Sequence, residues 1–356
     1  ERHMNEKRSR TVNSSYINRL NKISVLRLIR DEGRISRAEI AKRTGLSAPT
    51  VTRISDDLMV KEKLVTMEGK GTSSGGRRPK MLRFNSRENF VIGIELGDGY
   101  IRGALSDLDG KFIVELQVPI ASKGGRGVMA QIGDIVDTLI SRGVDKGAKV
   151  LGIGLAVAGS VNRRTGIIER APVFNWKNVD VVSGLKAYTP LPVFYDNVPR
   201  LIALGELWYG LGSRYRDFIC VDINNGMEAG IIIEGKPFFG ANGYAGNLGR
   251  PIVEDESNSI GTMKACLGDG DIRRLAISLD TLIKLFSPEC IVLSGRPLSA
   301  KGFLRDRLEN EVRKYSVANL SARVRFMEPS SGENAVLMGA FSLILDRVLD
   351  LEIGVA

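Results

Sequence analysis

Positive charge in this chain is confined to one end. The first 90 of 356 residues hold 21 Lys and Arg against 10 Asp and Glu; the other 266 hold 30 against 31. The formal excess of +10 therefore comes wholly from the first quarter. A generally basic surface would spread that charge. A basic head on a neutral body instead constrains the chain to at least two folding units, and it is the electrostatic footprint of a nucleic-acid-binding module fused to something else. The length fits two or three hydrophobic cores.

Several classes drop out early. The hydrophobic content of 43% is ordinary for a globular chain. No stretch approaches ~18 uninterrupted apolar residues, so no membrane span is expected. The start, Glu1 to Arg10, is polar and charged, without the apolar run of a signal peptide. A cytoplasmic location is expected. The cysteines are Cys220, Cys266 and Cys290, an odd set without regular spacing, which argues against a disulfide framework. Cys220 and Cys290 lie in apolar, strand-like runs and read as small buried hydrophobes. His3 is the single histidine, so the body has no histidine base or ligand.

The basic head reads as a winged helix-turn-helix over residues 15–88, preceded by a basic arm, 1–14. Ile17, Leu20, Ile23, Leu26, Leu28 and Ile29 recur near helical spacing, and Gly33 stops that helix. Ser36 and Glu39 form a capping-box pattern at the start of a second helix ended by Gly45. Ser47 then caps a third, "SAPTVTRISDDLMVKE". Helix, short helix, Gly turn, helix is a DNA-reading order, with the third helix as recognition helix. Val51, Ile54 and Leu58 would face inward. Ser47, Pro49, Thr50 and Thr52 let the helix approach base edges, and Arg53 can reach guanine or phosphate. Arg37 joins this DNA-facing set. Strand-like pieces at Leu64–Met67 and Met81–Phe84 then flank a Gly/Ser-rich loop bearing Arg77 and Arg78. That is a β-hairpin wing, and its arginines suit a narrow minor groove.

The body alternates strand-like and helix-like segments, an α/β pattern. It also contains an echo. "FVIGIELGDGYIRGALSDLDGKFIVELQVPI" reads strand, Gly turn, strand, Asp-Gly turn, strand, and "DFICVDINNGMEAGIIIEGKPFFG" repeats that plan. Two copies of one β-meander, each followed by helices, imply two similar lobes around a cleft: residues 89–205 and 206–356, with the last helix returning to the first lobe.

Together with the helix-turn-helix, the segments "SGGRRP", "GIELGDG", "GLAVAGSV", "YDNVPRLIALGE", "GANGYAGNLGR", "ECIVLSG" and "ENAVLMGA" resemble, in order, the ROK family of repressors, open reading frames and sugar kinases, in its repressor branch. Any one segment is weak; their order over about Ser15 to Leu349 is strong. The resemblance implies an actin-like, ribonuclease-H-like ATPase fold in the body, a homodimer or homotetramer, and a sugar site in the cleft.

It also implies what a kinase of this family would need. The first phosphate loop, usually Asp-x-Gly-Gly-Thr, reads here Glu95-Leu96-Gly97-Asp98-Gly99. The second, usually Gly-Thr-Gly-x-Gly-Gly-Gly, reads Asn224-Asn225-Gly226-Met227-Glu228-Ala229-Gly230. Two unit charges ~4 Å apart at an effective dielectric of ~20 repel by roughly 4 kcal/mol, so Asp98 and Glu228 oppose ATP binding. Counting back from Glu206 puts Asn197 at the first Asn of the family's Asn-Asp-Ala-Asn, Val198 at its catalytic Asp and Arg200 at its second Asn. Valine accepts no proton. A one-residue slip would make Asp196 the base instead.

The family's structural zinc uses the His of Glu-x-Gly-His and three cysteines. Here Asn247 and Arg250 fall at the Glu and His positions, and Ser259, Gly261 and Cys266 at the cysteines. One ligand of four remains, so no metal is expected, nor any cofactor. The stretch after Cys266 is shorter than the family pattern. Sugar-hydroxyl contacts would fall on Val173, Asn197, Val198, Asn247, Arg250 and Gly268. Asn197 and Asn247 can pair with hydroxyls; Arg250 brings a fixed cation suited to an acidic sugar or phosphate, or pairs with a carboxylate. Asn175 and Trp176 could stack on a sugar, or Trp176 could be core.

The expectation is a sugar-responsive repressor of carbohydrate-utilisation genes that binds double-stranded operator DNA and has no catalytic residue. Two alternatives remain: a glucokinase- or N-acetylglucosamine-kinase-like enzyme with a DNA-binding head, and a constitutive DNA binder with a dead sensor.

Overall fold

A periodic apolar stripe drives the first helix, α1 (residues 20–32): Ile23, Val25, Leu26 and Ile29 are buried, while Ile17 upstream is exposed. Gly33, at φ 67°, ends it. The structure, a computed structural model, describes residues 17–18, 20–70, 79–121, 124–143, 148–162, 165–224, 227–248, 269–295, 302–316 and 323–351.

A two-residue strand, β1 (Ile35–Ser36), leads into α2 (Arg37–Thr44) and α3 (Ala48–Val60). Only half of the capping box forms. The Glu39 amide donates to Ser36 Oγ at 3.2 Å, but the Glu39 carboxylate turns away to accept from Arg43 Nε at 3.0 Å. Gly45 closes α2 in the left-handed region, its amide donating to the Ala41 carbonyl. The wing strands are β2 (Val65–Lys70) and β3 (Lys80–Phe84), and β1 adds to the outer edge of β3, a pairing the sequence pattern did not announce.

The first body sheet holds β4 (Asn89–Leu96), β5 (Tyr100–Asp107), β6 (Phe112–Pro119), β7 (Lys149–Val157) and β11 (Val193–Asn197), in the order β11-β7-β4-β5-β6. The second holds β12 (Phe218–Asp222), β13 (Glu228–Ile233), β14 (Lys236–Phe238), β15 (Cys290–Ser294) and β16 (Arg325–Met327), in the order β14-β13-β12-β15-β16. The plans are the same: an antiparallel meander whose first strand pairs in parallel with the fourth, and the fourth with the fifth. The repeated meander seen in the sequence is therefore a repeated sheet, as a ribonuclease-H-like fold requires. A small antiparallel sheet, β8 (Ser160–Asn162), β9 (Ile167–Ala171) and β10 (Trp176–Val179), extends the first lobe.

Helix α4 (Gly125–Gly143) covers one face of the first sheet, with the short α5 (Val181–Leu185) beside it. Helices α7 (Asp269–Phe286) and α8 (Gly302–Tyr315) contribute to the core of the second lobe. Helix α6 (Val198–Tyr209) packs on strands of both sheets, which is why Pro199 to Trp208 are buried all round rather than on one stripe. The lobe boundary expected at residues 205/206 falls inside this helix. The last helix, α9 (Ala335–Leu351), packs on β4, β7 and α6 of the first lobe. The approach is at backbone distance: a Cβ at Gly154 would strike the Ala340 carbonyl, and one at Gly339 the Leu201 carbonyl.

The head shares its core with the body. Ile23, Leu26 and Ile29 of α1 belong to one apolar cluster with Leu207 and Trp208 of α6. Beyond the wing, Asn85 and Asn89 donate to the Lys63 carbonyl at 2.9 and 3.2 Å, tying the head to the start of β4.

Candidate functional site

Two faces carry candidate residues. The first is the exposed side of α3. Ser47 caps the helix, accepting from the Thr50 amide at 3.3 Å, and its Oγ lies 2.8 Å from Thr50 Oγ1. Pro49 sits in the first turn, where a missing N–H costs nothing. Val51, Ile54 and Leu58 face inward, as their spacing predicts, leaving Ser47, Pro49, Thr52 and Arg53 exposed and Thr50 half-buried. Arg53, 54% exposed along its side chain, donates to Asn18 Oδ1 at 2.9 Å, a weak surface restraint that a phosphate or base could displace. Arg37 Nη2 donates to Asp56 Oδ1 at 2.6 Å. Arg77 and Arg78 lie outside the described residues.

The second face is the cleft between the lobes. Asn197 ends β11 and caps α6, its Oδ1 accepting from the Arg200 amide at 3.3 Å. Its Nδ2 donates to Glu228 Oε2 at 3.3 Å across the cleft. Glu228 in turn forms an antiparallel bridge with Asn247. The structure thus places Asn197 against the Glu228 carboxylate and the backbone of Asn247 beside the Glu228 backbone. Asn247 Nδ2 also donates to Ser160 Oγ at 3.2 Å in the first lobe.

The site's charge is set by burial. Glu228 is pushed up to about 7, first by burial and then by Asp222, with Arg200 and Asn197 pulling the other way. Asp222, at the end of β12, is pushed up to about 6 by burial; hydrogen bonds from Ser294 and Asn224 oppose the rise, and Glu95 across the cleft adds to it. Asp196 is buried and committed: it accepts from the Asn197 amide at 2.9 Å and from Arg200 Nη1 at 3.2 Å. Arg200 reaches on to the Gly243 carbonyl at 2.6 Å. Val198 is half-buried against the shared core.

The first turn differs from an open phosphate loop. Tyr100 folds its ring over Gly97, where any Cβ would collide with it, and its hydroxyl donates to Glu95 Oε1 at 2.8 Å. Asp98 is exposed at the tip. Chemically, the region between the lobes gathers amides and carboxylates, a donor and acceptor set of the kind that pairs with hydroxyl groups.

Other expected cleft residues are placed elsewhere. Trp176 is 4% exposed in the core of the first lobe, its ring centroid 4.9 Å from that of Phe174, because it opens β10 with its side chain on the inner face. Asn175 is exposed in the left-handed region, at φ 54°, at the end of the turn Pro172–Phe174. Arg250, Ser259, Gly261, Cys266 and Gly268 lie outside the described residues. Cys220 and Cys290 are buried free thiols. Sequence reasoning missed the bridge at the cleft mouth: Tyr244 donates to Glu169 Oε1 at 2.5 Å and accepts from Asn162 Nδ2 at 3.0 Å. The signal available was an aromatic residue within a Gly-rich loop, "GANGYAGN", where a tyrosine needs a reason.

Comparison with known proteins agrees with this architecture. The ROK family profile matches residues 91–270 and 267–347, and a winged helix-turn-helix DNA-binding profile matches residues 19–61. The xylose repressor of Bacillus subtilis is 26% identical, over 95% of this chain and 98% of its own length. That of Caldicellulosiruptor bescii is 33% identical, over 75% and 67%. The crystal structure of a ROK family transcriptional regulator, a homologue of the E. coli Mlc protein, superposes with a TM-score of 0.76 at 22% identity, covering 95% of this chain and 99% of that one. With the family profile spanning most of the body and the winged helix-turn-helix ahead of it, the chain belongs to the ROK family, in the form that carries a DNA-binding head.

Proposed function

We propose that this protein is a sugar-responsive transcriptional repressor, cytoplasmic and assembled as a homodimer or homotetramer, with a catalytically inactive kinase-like body. The observation that carries the reading is one chain holding both a helix, α3, capped by Ser47 with its polar face exposed, and an Asn197–Glu228 contact joining the two lobes. The two curated relatives named xylose repressor support it. Residues 15–88 would bind operator DNA through Arg37, Ser47, Pro49, Thr50, Thr52 and Arg53, with Arg77 and Arg78 on the wing. Residues 89–205 and 206–356 would close on a sugar through Asn197, Asn247 and Arg250. A buried Asp196 held by Arg200 supports the absence of a general base. No metal or cofactor is invoked. Two recognition helices must meet half-sites about one helical turn apart or a multiple of it. A sugar that favours another spacing weakens DNA binding only by its differential affinity.

The test is selection of genomic fragments by the purified protein at ~150 mM salt, where non-specific electrostatic binding is screened. A few palindromic sites, released by D-xylose or another sugar of a broad panel, are the expected result. No enriched site would sink the reading, and ATP turnover with a hexose would restore the kinase.

A further inference from the structure

Beyond the apolar core it shares with α6, the head has polar ties to both lobes among the described residues. Asn85 and Asn89 hold the Lys63 carbonyl beside β4 of the first lobe. On the other side, Arg27 of α1 donates to the Gly235 carbonyl at 3.4 Å, in the tight turn between β13 and β14 of the second lobe. The same guanidinium stacks on Trp208 with its carbon 4.6 Å from the ring centroid. Arg30, one turn further on, lies 5.0 Å from the Trp208 centroid and 5.5 Å from that of Tyr209. Trp208 and Tyr209 form the last turn of α6, whose first turn carries Asn197 and Arg200 in the cleft. One 12-residue helix, about 18 Å long at 1.5 Å per residue, therefore spans from cleft to head. Buried on all sides, it has little room to bend and transmits a tilt at one end to the other.

Arg27 is also costly to bury. Its guanidinium is pushed down to about 10 by burial, against the field of Asp346 on α9. Two planar cations on one indole form a directional contact, because the ring face and not its edge attracts the charge. Such a contact fixes an angle as well as a distance.

We propose that Arg27, seated on Trp208 and bonded to the Gly235 turn, is a positioning residue through which the second lobe sets the orientation of the DNA-binding head. The inference rests on the proposed DNA-binding role only for its DNA readout. Opening the cleft moves Gly235 relative to Lys63, and a head tied to both must rotate. Without Arg27, the head keeps its core contact with α6 and loses its polar tie to the Gly235 turn.

A double-mutant cycle tests this in the full chain. Tyr244→Phe loosens the cleft mouth by removing the hydroxyl shared with Glu169 and Asn162, far from the head. Arg27→Met removes the charge and keeps the stem; Arg27→Lys restores a cation and serves as the rescue. The first readout is hydrogen exchange of the α1 amides, which needs neither DNA nor sugar. Tyr244→Phe is expected to raise α1 exchange roughly three- to tenfold in the parent chain and in the Arg27→Lys variant, and not in the Arg27→Met variant, the non-additivity of coupled sites. The second readout is affinity for a selected operator fragment, with the same pattern. An equal effect of Tyr244→Phe in all three backgrounds, or none in any, overturns the proposal. If no DNA is bound at all, the proposed function fails while α1 exchange still decides the joint.

Discussion

The two lobes are built on one plan and differ where their first hairpins turn toward the cleft. In the first lobe, Tyr100 closes the turn over Gly97 and ties down Glu95. In the second, the corresponding carboxylate, Asp222, is held by Ser294 Oγ at 2.9 Å and by Asn224, and Glu228 follows it on the next strand. One turn is filled by the protein's own aromatic ring; the other is lined with acids. The topology tolerates both because sheet order is set by the strands, and the chemistry of the cleft by a few residues at strand ends.

The sharpest way to break the comparison is at the seams. Gly154→Val in the first lobe would drive a side chain into the Ala340 carbonyl of α9, and Gly230→Val in the second would do the same to the Pro199 carbonyl of α6. Each is expected to cost about 3 kcal/mol or more, since backbone and not a flexible side chain must yield. Urea unfolding should show a single cooperative loss in both variants, because α6 packs on strands of both sheets. Persisting amide protection in the untouched lobe would show that the lobes fold independently.

Next is pH. Asp222 and Glu228 are raised from 3.8 and 4.5 to about 6 and about 7, so the folded chain holds these protons more tightly than the unfolded one. Their contribution is fully present below about pH 4 and is lost as pH rises through about 7. At about 1.4 kcal/mol per unit, each costs on the order of 3 kcal/mol by pH 8. Asp222→Asn with Glu228→Gln should flatten the difference in unfolding free energy between pH 5 and pH 8. A difference as steep as the parent's would show that other groups carry it, such as Asp107, raised by burial at the far turn of the first lobe.

Much of this was legible in the sequence. Both meanders, the caps at Ser36 and Ser47 and the inward set Val51, Ile54 and Leu58 follow from local periodicity and side-chain chemistry. What was not legible depends on tertiary neighbours. The pattern could not say that α6 is a shared wall, because a helix buried all round has no stripe. It could not choose between a stacking and a core Trp176, since both readings want an aromatic residue there. It gave no sign that Arg27 and Arg30 of the head would find Trp208, some 180 residues away.

Smaller effects refine the lobes separately. Tyr100→Phe removes one hydrogen bond to Glu95 and is expected to cost about 1 kcal/mol by thermal unfolding, leaving the pH dependence from the second lobe unchanged. Asn247→Ala, exposed and bonded to Ser160, should change stability by no more than ~0.5 kcal/mol. A larger loss at Asn247 would mean that the cleft mouth is a structural clamp.

The return of α9 to the first lobe also bears on how the protein is made. Strands β4 and β7 emerge well before the helix packed on them, Ala335–Leu351. At roughly 5–20 residues per second, the ribosome needs on the order of half a minute to travel from the wing to that helix. In the head, Ile40, Val51, Ile54, Leu58 and Leu82 are all close to fully buried, while α1 gains its contact with α6 only once residues 198–209 are made. The recognition helix is thus made before the body that would regulate it, and for that interval the nascent protein has an address without a switch.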